Sequence, residues 1–141
     1  MTDRNSVQSL AAVVGLAFLV VGVLGFVPGV TTHYGDMSFA GHGSHAKLLG
    51  VFQTSVLQNL IHLAFGIAGL ALSRVVESAD AFLRGGGVVY LALWVIGVVG
   101  AGRWIPTNTA DNWLRLMLGV AMIGLAHLAD RGAASAVAAS P

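Results

Sequence analysis

The chain contains no cysteine. Disulfides, thiolate nucleophiles, zinc–thiolate centres and cysteine-held iron–sulfur clusters are therefore excluded. Charge is nearly as scarce: 9% of its 141 residues are Asp, Glu, Lys or Arg, where soluble domains average about a quarter. The net charge of +1 comes without a basic tract, so nothing points to nucleic acid as a partner. Also lacking are a Gly-x-Ser-x-Gly elbow, a phosphate-binding loop, a His-x-x-x-His pair and paired carboxylates inside an apolar stretch. Gly85, Gly86 and Gly87 follow a polar connector and no strand, which removes them as a nucleotide site. From these absences we expect neither an enzyme nor a bound cofactor.

What is present is apolar. Hydrophobic residues make up 56% of the chain, and the mean hydropathy is +0.82. A soluble core of this size could not bury so much apolar surface, and the lipid bilayer is the expected surroundings. The fold class expected is an all-α integral membrane protein, an up-down-up-down bundle of four transmembrane helices. Residues 1–6 form a short cytoplasmic head, and the membrane domain covers 7–130. Its helices are expected at 7–27, 46–73, 85–102 and 110–128, with a polar, glycine-bearing outer loop at 28–45. Pro28 and Gly29 stop the first helix, and a cleaved signal peptide is its rival reading. Arg74 to Arg84 reads as a charged connector, and residues 131–141 as a disordered tail. Asn108 with Asp111 three residues on resembles a capping box for the last helix.

Four spans place both termini on one side. Arg4, Arg74, Arg84 and Arg131 fall there, against Lys47, Arg103 and Arg115 on the other. The positive-inside tendency then makes the termini cytoplasmic and the chain a multi-pass plasma-membrane protein.

The organising stretch is Gln53 to Ser73, inside an uncharged run that begins at Leu48. Its first half carries a polar stripe: Thr54, Gln58 and His62, with Ser55 and Asn59 beside them at helical spacing. Gly66, Gly69 and Ser73 continue the stripe as a groove of small residues. Lipid cannot satisfy amides and an imidazole, so this face should meet protein. At a rise of ~1.5 Å per residue, Arg115 comes to the depth of Gln58 and Asn59, with His62 about a turn below. Asp111 stands four residues before Arg115, and Asn112 lies beside it. Gln58, Asn59, His62, Asp111, Asn112 and Arg115 thus form the candidate intramembrane cluster. It is either a structural hydrogen-bond network or part of a substrate or proton path. Arg115 snorkelling to the outer interface is a third reading. His127, the other helical histidine, lies too far toward the opposite end to share a metal with His62.

The histidines of the outer loop are the weak metal candidates. His42 and His45 stand three apart, with His33 and Asp36 upstream, a donor set zinc or copper accepts. A solvated loop, with Ser44 capping the second helix, is the reading we favour. We expect no bound metal.

An internal repeat shows weakly. Setting Asn59 against Asn112 aligns Leu63 with Leu116, Gly66 with Gly119 and Leu72 with Leu125, while Gly22 and Gly25 face Gly97 and Gly100 at another offset. The domain would then be two repeated helical hairpins.

Three stretches carry a whole-chain likeness: the run from Phe26 through the polar stripe to Ala71, GGGVVYLALWVIG, and IPTNTADNWLRLMLGVAMI. In this order they resemble the bacterial membrane proteins grouped as domain of unknown function 4383. The resemblance covers about Val7 to Leu128 and implies four helices in the plasma membrane. It brings no reaction, cofactor or site residue. Histidine would be expected where this chain has Arg115, so nothing that needs an imidazole from the fourth helix carries over. The leading expectation is an accessory or interaction protein without chemistry of its own, with a membrane-protein partner or a second copy of itself. A small transporter or oligomeric channel using the polar cluster is the alternative, and a metal-binding or redox-accessory role the third.

Overall fold

The computed structural model describes residues 2–101 and 103–140. Met1, Gly102 (the expected end of the third helix) and Pro141 lie outside the described residues, as do the side chains of residues 2–5. Four α-helices are present among the described residues: α1 (Thr2–Leu24), α2 (Val56–Leu72), α3 (Val76–Val98) and α4 (Thr109–Ala139). Three contain stretches long and apolar enough to cross a membrane: Ser6–Leu24, Val76–Val98 and Thr109–Ala139. The 17 residues of α2 fall short of a ~30 Å core at ~1.5 Å each.

The shortness of α2 corrects the expected span 46–73. The ten residues that were to begin it fold back as a hairpin of β2 (Lys47–Leu48) and β3 (Phe52–Gln53). Leu49 and Gly50 turn the hairpin with φ of 54° and 72°, a left-handed pair that no helix can contain. β2 also pairs with β1 (Thr31–Thr32), completing a three-stranded antiparallel sheet. The helix then starts at Ser55, whose hydroxyl accepts from the Gln58 backbone N–H at 3.2 Å. Ser-Val-Leu-Gln is a capping-box sequence, a start signal stronger than the one read at Ser44. Ser44 instead sits fully buried in the loop and donates to the Thr54 carbonyl at 2.5 Å. Ser55→Ala should cost about 1 kcal/mol, measured by thermal unfolding in mild detergent, because it leaves the Gln58 N–H short of its acceptor. The carbonyls of Ser38 and Phe39 serve the next orphan donors, those of Val56 and Leu57.

The outer loop at 28–45 is thus part of a folded cap. It also holds a short 3₁₀ turn, Tyr34–Asp36, and it is tied to the α3–α4 turn. The Gly41 N–H donates to the Trp104 carbonyl at 2.9 Å, and the Asn108 amide to the Val51 carbonyl at 2.8 Å.

Three further boundaries differ from expectation. Most of the connector Arg74 to Arg84 is the first part of α3. Ala79, Phe82, Leu83, Gly86, Gly87 and Tyr90 fall at helical spacing on its buried face. The charged residues take the other face, where Arg84 pairs with Asp80 at 2.8 Å and with Asp130 of α4. The tail expected to be disordered continues α4 to Ala139, as its alanines favour. The head is helical from Thr2, and α1 ends at Leu24, whose carbonyl accepts from the Thr31 hydroxyl.

The helices pack as two antiparallel hairpins, α1 with α2 and α3 with α4. Their contacts repeat. Gly25, just past the end of α1, lies against the Asn59 amide of α2, and Gly97 of α3 lies against the Asn112 amide of α4. Gly66 presses on Gly15 and Leu19, and Gly119 presses in the same way on Gly87 and Leu91. The structural register therefore matches Gly25 with Gly97, correcting the offset that set Gly22 and Gly25 against Gly97 and Gly100. At these crossings the backbones approach too closely for a side chain.

Candidate functional site

Where the two hairpins meet below the cap, the bundle is not filled. A cavity of about 280 Å³ lies between α1 and α4, roofed by the β2–β3 hairpin. Its walls are mostly apolar: Val14, Phe18 and Val21 from α1, with Leu118 from α4. Its deep side is polar, formed by Gln58 and His62 of α2, Tyr90 of α3, and Asp111 and Arg115 of α4. A smaller cavity of about 90 Å³ lies on the other side of this polar wall, under Trp104, Ile105 and Pro106. Gln58, His62, Tyr90 and Arg115 line both.

Each polar group reaches the wall for a local reason. Gln58 and His62 are one turn apart on the face that α2 turns toward α3 and α4. Arg115 is 6% exposed. It donates to the Thr107 hydroxyl at 2.7 Å and to the Pro106 carbonyl at 3.0 Å, and so braces the turn before its own helix. This corrects the expectation that the α2 stripe holds it. Both acceptors are neutral oxygens. Asp111 is engaged elsewhere: its carboxylate accepts from the Asn108 N–H at 2.9 Å, while the Asn108 side chain accepts from the Asp111 N–H at 2.9 Å. The capping box expected from the sequence is therefore formed. β3 packs against the start of α4 beside it. Among the described residues, the ion pairs are those of Arg84, and none joins Asp111 to Arg115.

The expected cluster is therefore divided. Gln58, His62, Asp111 and Arg115 share one cavity, while Asn59 and Asn112 sit at the two helix crossings. Asn59 is fully buried and accepts from the Thr54 hydroxyl at 2.5 Å. The Asn112 carbonyl oxygen is buried without a partner, as are Gln58 Oε1 and His62 Nδ1. Asn112 lines a separate cavity of about 260 Å³ beside His42 and Thr107.

Sequence reasoning did not assign three residues that shape the site: Tyr90, Thr107 and Pro106. Tyr90 carries a signal in hindsight, as the lone phenol in the apolar second half of α3. It belongs to an aromatic cluster under the cavity, with Phe18 at 5.3 Å and Phe65 at 6.1 Å between ring centroids, and Phe65 in turn touches Phe82 at 5.5 Å. Phe18 also stacks obliquely on His62 at 5.8 Å. No sequence signal marks Thr107 and Pro106 as partners of Arg115.

The loop residues His33, Asp36, His42 and His45 are not brought together. Among the described residues, no three histidine or acidic side chains are placed to hold a metal ion. His45 meets Asp36 only through the backbone, N–H to carbonyl at 3.2 Å.

No curated protein and no solved structure matches the chain. A family model does, over residues 8–128, a region that holds the cap, the polar-walled cavity and the hairpin pair except for the start of α1 and the end of α4. The chain belongs to the family described as domain of unknown function 4383.

Proposed function

We propose that this protein is a four-helix accessory protein of the bacterial plasma membrane, in which the shorter α2 crosses back beside α1 with the cap making up its length and leaves both termini cytoplasmic, and that it holds an amphipathic membrane molecule between its two hairpins and carries out no chemistry of its own. The observation that carries the reading is the cavity between α1 and α4. Its lining is apolar near the edge and polar at depth, and Ala17, Leu49 and Leu114 are its exposed lining residues. They set the mouth on the flank of two helices long enough to span a membrane. A molecule dissolved in the bilayer could enter there sideways. Apolar pockets with a few converging polar groups are the usual form of small-molecule sites.

The aromatic cluster favours binding over conduction. Phe18, Phe65, Phe82 and Tyr90 close the bundle below the polar wall, so the cavity is a pocket with a floor and not a conduit.

The test is to close the mouth. Ala17→Trp places an indole at an exposed lining position without touching the polar wall. Full-length protein extracted in mild detergent should carry one co-purifying amphiphile per chain by native mass spectrometry. The variant should fold to the same Tm and lose it. Equal retention by both proteins would overturn the reading.

A further inference from the structure

The polar wall also says what kind of head the pocket takes. We propose that the site binds a single-chain amphiphile with a carboxylate head, a free fatty acid, with the head on Arg115 and the chain directed toward the mouth between α1 and α4. The proposal rests on the binding function proposed above and adds the chemistry of the ligand.

Three observations converge. First, Arg115 is a buried cation whose two placed N–H bonds end on neutral oxygens. Among the described residues no anion forms an ion pair with it, and a planar guanidinium is suited to the two oxygens of a carboxylate. Second, Gln58 Oε1 and His62 Nδ1, on the same wall, have no partner in the protein. Each side chain can offer an N–H to an arriving oxygen, the amide by rotating and the imidazole by its choice of tautomer. Arg115, Gln58 and His62 line one cavity, and together they offer three donor groups to an oxyanion. Third, most of the remaining lining is hydrocarbon, and it leads to the flank of spanning-length helices.

Asp111 is the one negative charge on the wall. Its carboxylate is held by the Asn108 backbone N–H at the start of α4, where the helix terminus offsets its charge. It forms no ion pair with Arg115, which stays open to an external anion. Tyr90 lines the same cavity.

The experiment uses the full chain in mild detergent with cis-parinarate, a polyene fatty acid whose fluorescence rises in a dry site. Titration should saturate at one per chain, and oleate should displace it. Oleyl alcohol has the same chain without the charge and should compete roughly 10- to 100-fold more weakly, the range of a charge-assisted hydrogen bond to a buried partner. Acetate has the head without the chain and should not compete at comparable concentration. Arg115→Gln should weaken parinarate binding by a similar factor and abolish the preference for oleate over its alcohol.

Equal competition by oleate and oleyl alcohol in the wild type would overturn the proposal and needs no variant to fold. If Ala17→Trp still blocks binding in that case, the pocket stands and only the charged head is wrong. Competition by acetate as strong as by oleate would also overturn it, making the site one for small anions. Parinarate binding that Ala17→Trp leaves intact would show that the pocket itself is not the site.

Discussion

Gly66→Ala is expected to lower stability by about 1–3 kcal/mol, while Gly124→Ala should raise it by roughly 0.5–1 kcal/mol. The two substitutions add the same methyl group to helix interiors, and only the surroundings differ. A Cβ on Gly66 would lie 2.6 Å from the Leu19 backbone nitrogen and 2.8 Å from the Gly15 carbonyl oxygen. Both are main-chain atoms of α1, so α1 must move away from α2 to make room. Around Gly124 there is nothing within 4 Å, and alanine there gains helix propensity without a clash. Gly119→Ala should fall between them. Its nearest neighbours are the Leu91 side chain at 2.7 Å, which can turn aside, and the Gly87 carbonyl at 3.0 Å. Thermal unfolding of the three variants in one detergent would order them. If Gly66→Ala is as stable as Gly124→Ala, the close crossing of α1 and α2 is not as described.

Asp111→Ala should cost about 2–4 kcal/mol, the sum of a lost helix cap and of a buried cation deprived of its nearest negative charge. Asp111 accepts the Asn108 N–H in the capping box, and it attracts Arg115 one turn further along α4 without forming an ion pair with it. In an Arg115→Leu background the electrostatic part disappears, and Asp111→Ala should then cost only the cap, about 1 kcal/mol. Arg115→Leu alone should be mild, since leucine fills part of the space and no charge is left buried, although the Pro106 carbonyl loses its donor. A double-mutant cycle on these residues should thus show coupling of more than about 1 kcal/mol. Additivity within error would mean that the two charges do not sense each other and that Arg115 depends on its turn alone.

Depth along a helix can be counted at ~1.5 Å per residue, and counting placed Arg115 near Gln58 and Asn59. The structure does bring Arg115 and Gln58 to one cavity. Counting could not supply the direction in which a long side chain turns. Arg115 bends to its own preceding turn, where the Thr107 hydroxyl and the Pro106 carbonyl accept its N–H groups. Asn59 and Asn112, at helical spacing with the cluster, instead pack against Gly25 and Gly97 of the neighbouring segments. Periodicity shows which residues share a face of one helix, and the facing residue on the next helix depends on register.

The sequence by itself determined the long apolar segments, the absence of thiol chemistry, the capping box at Asn108 and Asp111, and the family. These are properties of composition, of local spacing or of the chain taken whole, and each acts within a few residues or over the entire sequence. Tertiary structure decided the rest. It turned Ala46 to Thr54 into a hairpin cap because left-handed Leu49 and Gly50 and the cap at Ser55 outweigh an apolar run that could equally be helix. It set Gly25 on Asn59 and Gly97 on Asn112, since only close-packed backbones reveal which glycines are contacts. It also left a space between α1 and α4 with a cation at its end, because a cavity is the mismatch of surfaces from five separate elements and no single segment encodes it.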